Sequence, residues 1–219
     1  MTLYTRWMRA SSALLVLSWS LASVARADGT SGAPAMPPSD VVETLHTALL
    51  GVMKDADKLG YEGRCERLAP VLKDLYDIPF MAQKSVGRYW KNTSEEERQH
   101  LLKTFTEFMI ANYAGNFDGY SGQSFETLGA EESTHGTMLV RTRLLEPGGE
   151  ATQLNYRLRP VDGEWKIIDV YLNGTVSELA LRRSEYSSLI QREGFDSLIV
   201  ALNQKITTLS ESTPVDQSP

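Results

Sequence analysis

Between residues 123 and 172 the apolar side chains stop recurring every third or fourth position and begin to alternate. That switch of period constrains the fold most, because an alternating segment has one face to bury and needs neighbours to bury it against. Four strands fit, over residues 123–133, 136–146, 150–160 and 164–172. Their connections, Thr134-His135, Pro147-Gly148-Gly149 and Asp162-Gly163, are too short for crossover helices, so the neighbours are antiparallel. Met138, Val140, Thr142 and Leu144 share one face of the second strand. The third aligns Leu154, Tyr156 and Leu158 the same way and sends Arg157 and Arg159 to the other side. The fourth sets Ile168, Val170 and Leu172 against Trp165, Ile167, Asp169 and Tyr171.

Helical periods flank this block. Ser39 or Asp40 can cap a helix to Leu59 whose stripe is Val41, Val42, Leu45, Leu49 and Val52. A second helix over Tyr61 to Leu75 turns Leu68, Val71, Leu72 and Leu75 inward and Arg64, Arg67 and Lys73 outward, with Pro70 able to shorten or kink it. Asp77 and Pro79 suit the start of a short helix. Ser94 and Glu97 form a capping box that opens a helix to Phe117. Asn173-Gly174 supplies the positive φ that ends the fourth strand. Thr175 or Ser177 can cap the next helix, Val176 to Arg192, and a last helix covers Asp196 to Thr208. Helices, a meander and helices again make one α+β domain, with helices packed on a curved four-stranded antiparallel sheet.

The 219 residues are not all fold. Arg6 and Arg9, the apolar run Ala13 to Val24 and the small-x-small site Ala25-Arg26-Ala27 read as a signal peptide over residues 1–27. Residues 28–39 are a Gly/Pro/Ser linker, residues 40–209 the domain and residues 210–219 a polar tail. The leader places the protein in the periplasm. The net charge is −6, and losing three leader arginines makes it more acidic, which argues against nucleic acid as a partner. Cys65 is the single cysteine, so no internal disulfide forms and burial alone carries the fold.

Motifs for catalysis are missing. His46, His100 and His135 lack metal-ligand spacing, and there is no nucleophile elbow and no phosphate-cradling loop. Asp169 stands out because it lies in an apolar strand beside Trp165 and Tyr171. It either pairs or caps structurally, or acts as a general base in an apolar cone with Tyr156 or Tyr171 as electrophile. Large flexible side chains gather on two successive helices: Met81, Tyr89, Trp90, Phe105, Phe108, Met109, Tyr113 and Phe117. They fill a core or line a cavity, and the pattern is the same for both.

Two stretches carry a resemblance. "YDIPFMAQKSVGRYW" with "TSEEERQHLLKTFTEFMIANYAG", and "WKIIDVYLNGTVSELALRRSEYSSLIQREGFDSLIVALNQK", resemble the MlaC family, also known as the toluene-tolerance auxiliary family. The matching places are Tyr76 to Ala82, Gly87 to Trp90, Trp165 to Val170, Gly174, Arg182-Arg183 and Gly194 to Ile199. The run from Gly174 to Ala180 and then Arg182-Arg183-Ser184-Glu185-Tyr186 is similar to the HpnM, hopanoid-associated branch. The resemblance implies a nuclear transport factor-like fold with an apolar pocket. It implies a monomeric periplasmic carrier, not an enzyme, of a hopanoid or phospholipid, with the lipid as cargo and no cofactor or metal. It further implies an inner-membrane lipid transporter and an outer-membrane donor or acceptor as partners.

Period and burial then give the expected pocket wall. It comprises Phe80, Met81, Val86, Tyr89, Phe105, Phe108, Met109 and Tyr113 from the helices. From the sheet come Val140, Leu144, Tyr156, Leu158, Val170 and Leu172, and from the closing helix Tyr186. Arg182 and Arg183 are expected at the rim, as headgroup or partner contacts. A plain adaptor, docking by its acidic surface, would instead have a core packed solid.

Overall fold

The computed structural model describes residues 36–149 and 151–211. The expected leader, linker residues 28–35 and tail residues 212–219 lie outside the described residues. Helix α1, Pro38–Lys54, buries Val41, Val42, Leu45, Leu49 and Val52 as the period predicts. It starts before the expected cap: Pro37 is the N-cap residue and makes no side-chain cap bond. A proline pre-sets φ for a first turn and has no N–H to satisfy, so Pro38 can open the helix without a capping side chain.

Helix α2, Ala56–Leu75, breaks at Gly60, whose φ of 59° no helix accommodates. The boundary expected between Leu59 and Tyr61 therefore falls on a real break, although α1 has already stopped at Lys54. Beyond it the chain runs helically through Pro70. Arg64 corrects the sequence reading. It is 1% exposed, and its guanidinium donates to the carbonyls of Ala114 at 2.9 Å and Ala56 at 3.3 Å. A side chain that long can reach carbonyls at a helix end, which the helical period does not encode.

Helix α3, Ile78–Ser85, is capped by Asp77, which accepts from Phe80 N at 3.1 Å. Asp77 also holds Arg159 of the sheet, with Nε to Oδ2 at 2.5 Å. A 3-10 turn, Gly87–Asn92, leads to α4, Glu95–Asn116. The capping box is formed: Glu97 N donates to Ser94 Oγ at 3.2 Å and Ser94 N to Glu97 Oε2 at 2.6 Å.

The sheet is a meander in chain order: β1 Ser124–Ser133, β2 Thr137–Leu145, β3 Ala151–Val161, β4 Glu164–Leu172 and β5 Val176–Ser177. All neighbours are antiparallel. The fifth strand corrects the expected four. Asn173 and Gly174 both take positive φ, 50° and 76°, and Thr175 N donates to Leu172 O at 3.2 Å. This closes a turn that returns two residues to the edge of β4 instead of releasing the chain into a helix. Ser177, not Thr175, caps α5, Glu178–Glu193, by accepting from Ala180 N at 2.9 Å. Helix α6, Phe195–Glu211, packs on α4 and α5.

A bulge in β4 alters the faces. Arg157 pairs with Asp169 but Leu158 pairs with Ile167, so Ile168 is the extra residue. Ile167 thereby turns onto the core face with Leu158, and both are fully buried. The expected alternation holds for Val170 and Leu172 and inverts before the bulge. The core lies between this face and helices α1 to α6. Among the described residues no helix is long and apolar enough to cross a membrane.

Candidate functional site

The core is solid at one end of the sheet and hollow at the other. At the solid end Val140 faces Tyr156 and Leu158 faces Ile167, all at 2% exposure or less. At the other end the pairs Leu144–Thr152, Leu154–Leu172 and Tyr156–Val170 form the floor of a cavity of about 430 Å³. Its roof is one stripe of α4, namely Met109, Asn112, Tyr113 and Asn116, followed by Phe117. Met81 and Tyr76 close the inner end, and Glu178 and Arg182 of α5 stand at the side. Exposed Asn116 and Thr152 mark the mouth, while Met81, Met109 and Tyr156 are buried.

Seven expected wall residues line this cavity: Met81, Met109, Tyr113, Leu144, Tyr156, Val170 and Leu172. Eight do not. Val86, Phe105, Val140 and Leu158 are fully buried in the solid part of the core. Phe108 lies behind Arg182, whose guanidinium sits 5.5 Å from its ring centre. Phe80 lines a separate surface groove with Trp90 and Arg98, and Arg159 stacks on it at 4.3 Å. Tyr89 is half-buried beside Arg88. Tyr186 is buried, and its hydroxyl has no partner among the described residues. Period and expected burial selected the wall, and neither separates a residue that borders a cavity from one in the filled part of the core.

Arg182 does line the cavity; its side chain is 14% exposed and bonds Glu178 at 3.3 Å. Arg183 does not. Its side chain reaches from α5 over Gly87, where an added Cβ would come within 2.8 Å of its Nε. The expected wall left out Tyr76, Asn112, Asn116, Phe117, Thr152, Leu154 and Glu178, although Phe117 stood among the side chains able to line a cavity and Leu154 on the inward face of its strand. Positions 109, 112, 113 and 116 share one helical face. Two asparagines on that inward stripe were the available signal.

The wall is apolar with a few polar groups. The Tyr76 and Tyr113 hydroxyls bond each other. Tyr113 and Phe117 stack at 5.8 Å. Burial, with Tyr113 alongside, pushes the Tyr76 and Tyr156 phenols well above their ordinary range, so both stay neutral. Tyr156 Oη pairs with His46 Nε2 at 3.1 Å, and the His46 ring stacks on Phe125 at 3.9 Å. Burial lowers His46 from 6.5 to about 4. Above pH 6.5 the imidazole is neutral in both folded and unfolded chains. Between 6.5 and about 4 only the unfolded chain takes the proton. Stability therefore falls as pH drops through that window, by at most about 3 kcal/mol from this residue. Urea unfolding at pH 7 and pH 4.5 checks this: the His46→Gln protein should lose less between the two, and an equal loss would sink the assignment.

Asp169 is 6% exposed and does not line the cavity. Oδ1 accepts from Val170 N at 2.9 Å and Leu179 N at 3.0 Å, and Oδ2 from Ser177 Oγ at 2.6 Å. A general base in an apolar cone has to face the cone, and this carboxylate faces the start of α5. No group of three or more metal-ligating side chains occurs among the described residues.

Helices over one face of an antiparallel sheet border an apolar cavity with a polar mouth, the form that small-molecule sites commonly take. The family model described as MlaC protein matches residues 43–204, and the chain belongs to that family. It is 29% identical over 132 residues to the intermembrane phospholipid transport system binding protein MlaC of Haemophilus influenzae. That match spans 58% of this chain and 61% of the relative. The toluene tolerance protein ttg2D of Pseudomonas putida is 25% identical over 167 residues, 74% of this chain and 77% of that protein. A phospholipid-binding protein of Ralstonia solanacearum, solved in complex with a phospholipid, shares the fold. The TM-score is 0.68 at 20% identity, covering 78% of this chain and 97% of that one.

Proposed function

We propose that the protein carries a membrane lipid, with its acyl portion in the cavity. The carrying observation is the void itself: about 430 Å³ lined by Met81, Met109, Leu144, Leu154, Val170 and Leu172. A methylene is about as large as a water molecule, at ~30 Å³, so roughly fourteen fit, one acyl chain's worth. At ~0.8 kcal/mol each they would contribute on the order of 11 kcal/mol before ordering costs. Met81 and Met109 can repack around chains of different shape. An adaptor with a solid core has no use for such a void.

The family and the phospholipid named for its relatives support a phospholipid cargo. We read it as a periplasmic shuttle, on a nuclear transport factor-like fold, between an inner-membrane transporter and an outer-membrane donor or acceptor; the intermembrane transport system named for one relative supports the shuttling part of that reading. The run Gly174 to Tyr186, similar to the hopanoid-associated branch, favours a hopanoid as the second reading. Extraction of the purified protein followed by mass spectrometry should return lipid in near-stoichiometric amount. Lipid-free protein from several hosts would overturn the carrier reading.

A further inference from the structure

Glu178 and Arg182 are the two charged side chains among the described residues lining the cavity. They are one turn apart on α5 and share a single bond, Arg182 Nη2 to Glu178 Oε2 at 3.3 Å, with side chains 14% and 26% exposed for Arg182 and Glu178 respectively. A guanidinium has five donors in a planar fork suited to a phosphate. Here one donor is engaged, and the Phe108 ring lies 5.5 Å away against the group. Next to it, Tyr76 and Tyr113 hold two hydroxyls that bond each other. Each hydroxyl carries one proton and their mutual bond uses one, so one O–H remains to donate into the cavity.

We propose that this pair reads the headgroup of the cargo, and that it selects a phosphodiester lipid bearing an ammonium group. The inference rests on the lipid-carrier reading above. Glu178 stands on Arg182 where a phosphate would stand. A lipid phosphate takes that place with better geometry, a bidentate fork in exchange for one long bond. The exchange strands the Glu178 carboxylate beside a new negative charge, at a half-buried site where an unpaired charge is costly. A headgroup ammonium a few atoms from the phosphate supplies the missing partner. Both protein charges and both lipid charges are then paired. An anionic headgroup leaves Glu178 opposed, and an uncharged lipid leaves the original pair untouched and gains nothing from it. The spare tyrosine O–H donates to an ester or phosphate oxygen of the same lipid.

The experiment incubates the full chain with vesicles of equal parts phosphatidylethanolamine, phosphatidylglycerol and diacylglycerol carrying identical acyl chains. The protein is re-isolated and its lipid measured by mass spectrometry. Phosphatidylethanolamine should exceed phosphatidylglycerol in the bound fraction by about tenfold. Glu178→Gln should reverse that order. Arg182→Gln should bring both phospholipids down to the level of diacylglycerol. The ratios are read on loaded protein alone, so a lower folded yield does not alter them. Bound lipid of vesicle composition in all three proteins would overturn headgroup reading and leave the carrier function standing. Absence of lipid from all three would overturn both.

Discussion

Asp169→Ala is expected to cost the fold about 3–5 kcal/mol, the sum of three donors left without an acceptor at about 1–3 kcal/mol each, reduced where water can reach. The carboxylate is 6% exposed and accepts from Val170 N, Leu179 N and Ser177 Oγ. It therefore ties the end of β4 to the start of α5. Ser177 is in turn the cap of α5 through Ala180 N at 2.9 Å, so the hydroxyl loses its orientation as well. For a domain of this size the melting temperature should drop by about 10 °C. Asp169→Asn keeps one acceptor oxygen but can turn an amide N–H toward a donor, and should lose about 1–2 kcal/mol. Urea denaturation of the three proteins settles the order. A loss within about 0.5 kcal/mol for the alanine protein, the ordinary range of surface changes, would remove the structural role.

The second large effect is on cargo. Val170→Trp should reduce bound lipid to about a tenth or less, equivalent to at least about 1.4 kcal/mol of affinity, with stability unchanged or raised. Val170 lies on the cavity floor opposite Tyr156, and an indole there takes the space of the acyl chain without displacing packed atoms. Val140→Trp is the contrasting substitution. Val140 also faces Tyr156, from the neighbouring strand, but it is fully buried where the core is solid. Overpacking there should destabilise by about 1–3 kcal/mol or more. Co-purified lipid and melting temperature, measured for both proteins, distinguish the hollow end from the filled one. Normal lipid content in the Val170→Trp protein would place the cargo elsewhere.

Local features of the fold were legible in the sequence. The box of Ser94 and Glu97, the cap by Asp77 and the positive-φ turn at Asn173-Gly174 each depend on residues a few positions apart. The period of two located β1 to β4 for the same reason. The bulge at Ile168 was not legible, because nothing in Trp165 to Val170 announces an extra residue. Arg64 was read as solvated because a helical pattern assigns a face, not the reach of a six-atom side chain to the end of another helix. The site was half legible. Alternation identifies which residues face the helices. The distance between helix and sheet decides whether that space is filled, and alternation along a strand does not encode it. Leu144 and Val140 stand on the same face of β2, four positions apart, and one borders a void while the other is locked in packing.

The sheet order repeats the chain order, β1 through β5. Each strand can therefore zip onto its predecessor as a hairpin, with short loops to close and little entropy to overcome. The cavity is different. Its walls join Met81, the second half of α4, three strands and α5, segments that meet only when the remote parts of the chain have docked. Folding of the sheet can thus run ahead of the chamber. A ligand held there stabilises contacts made late, so its presence should slow unfolding while leaving the refolding rate almost untouched.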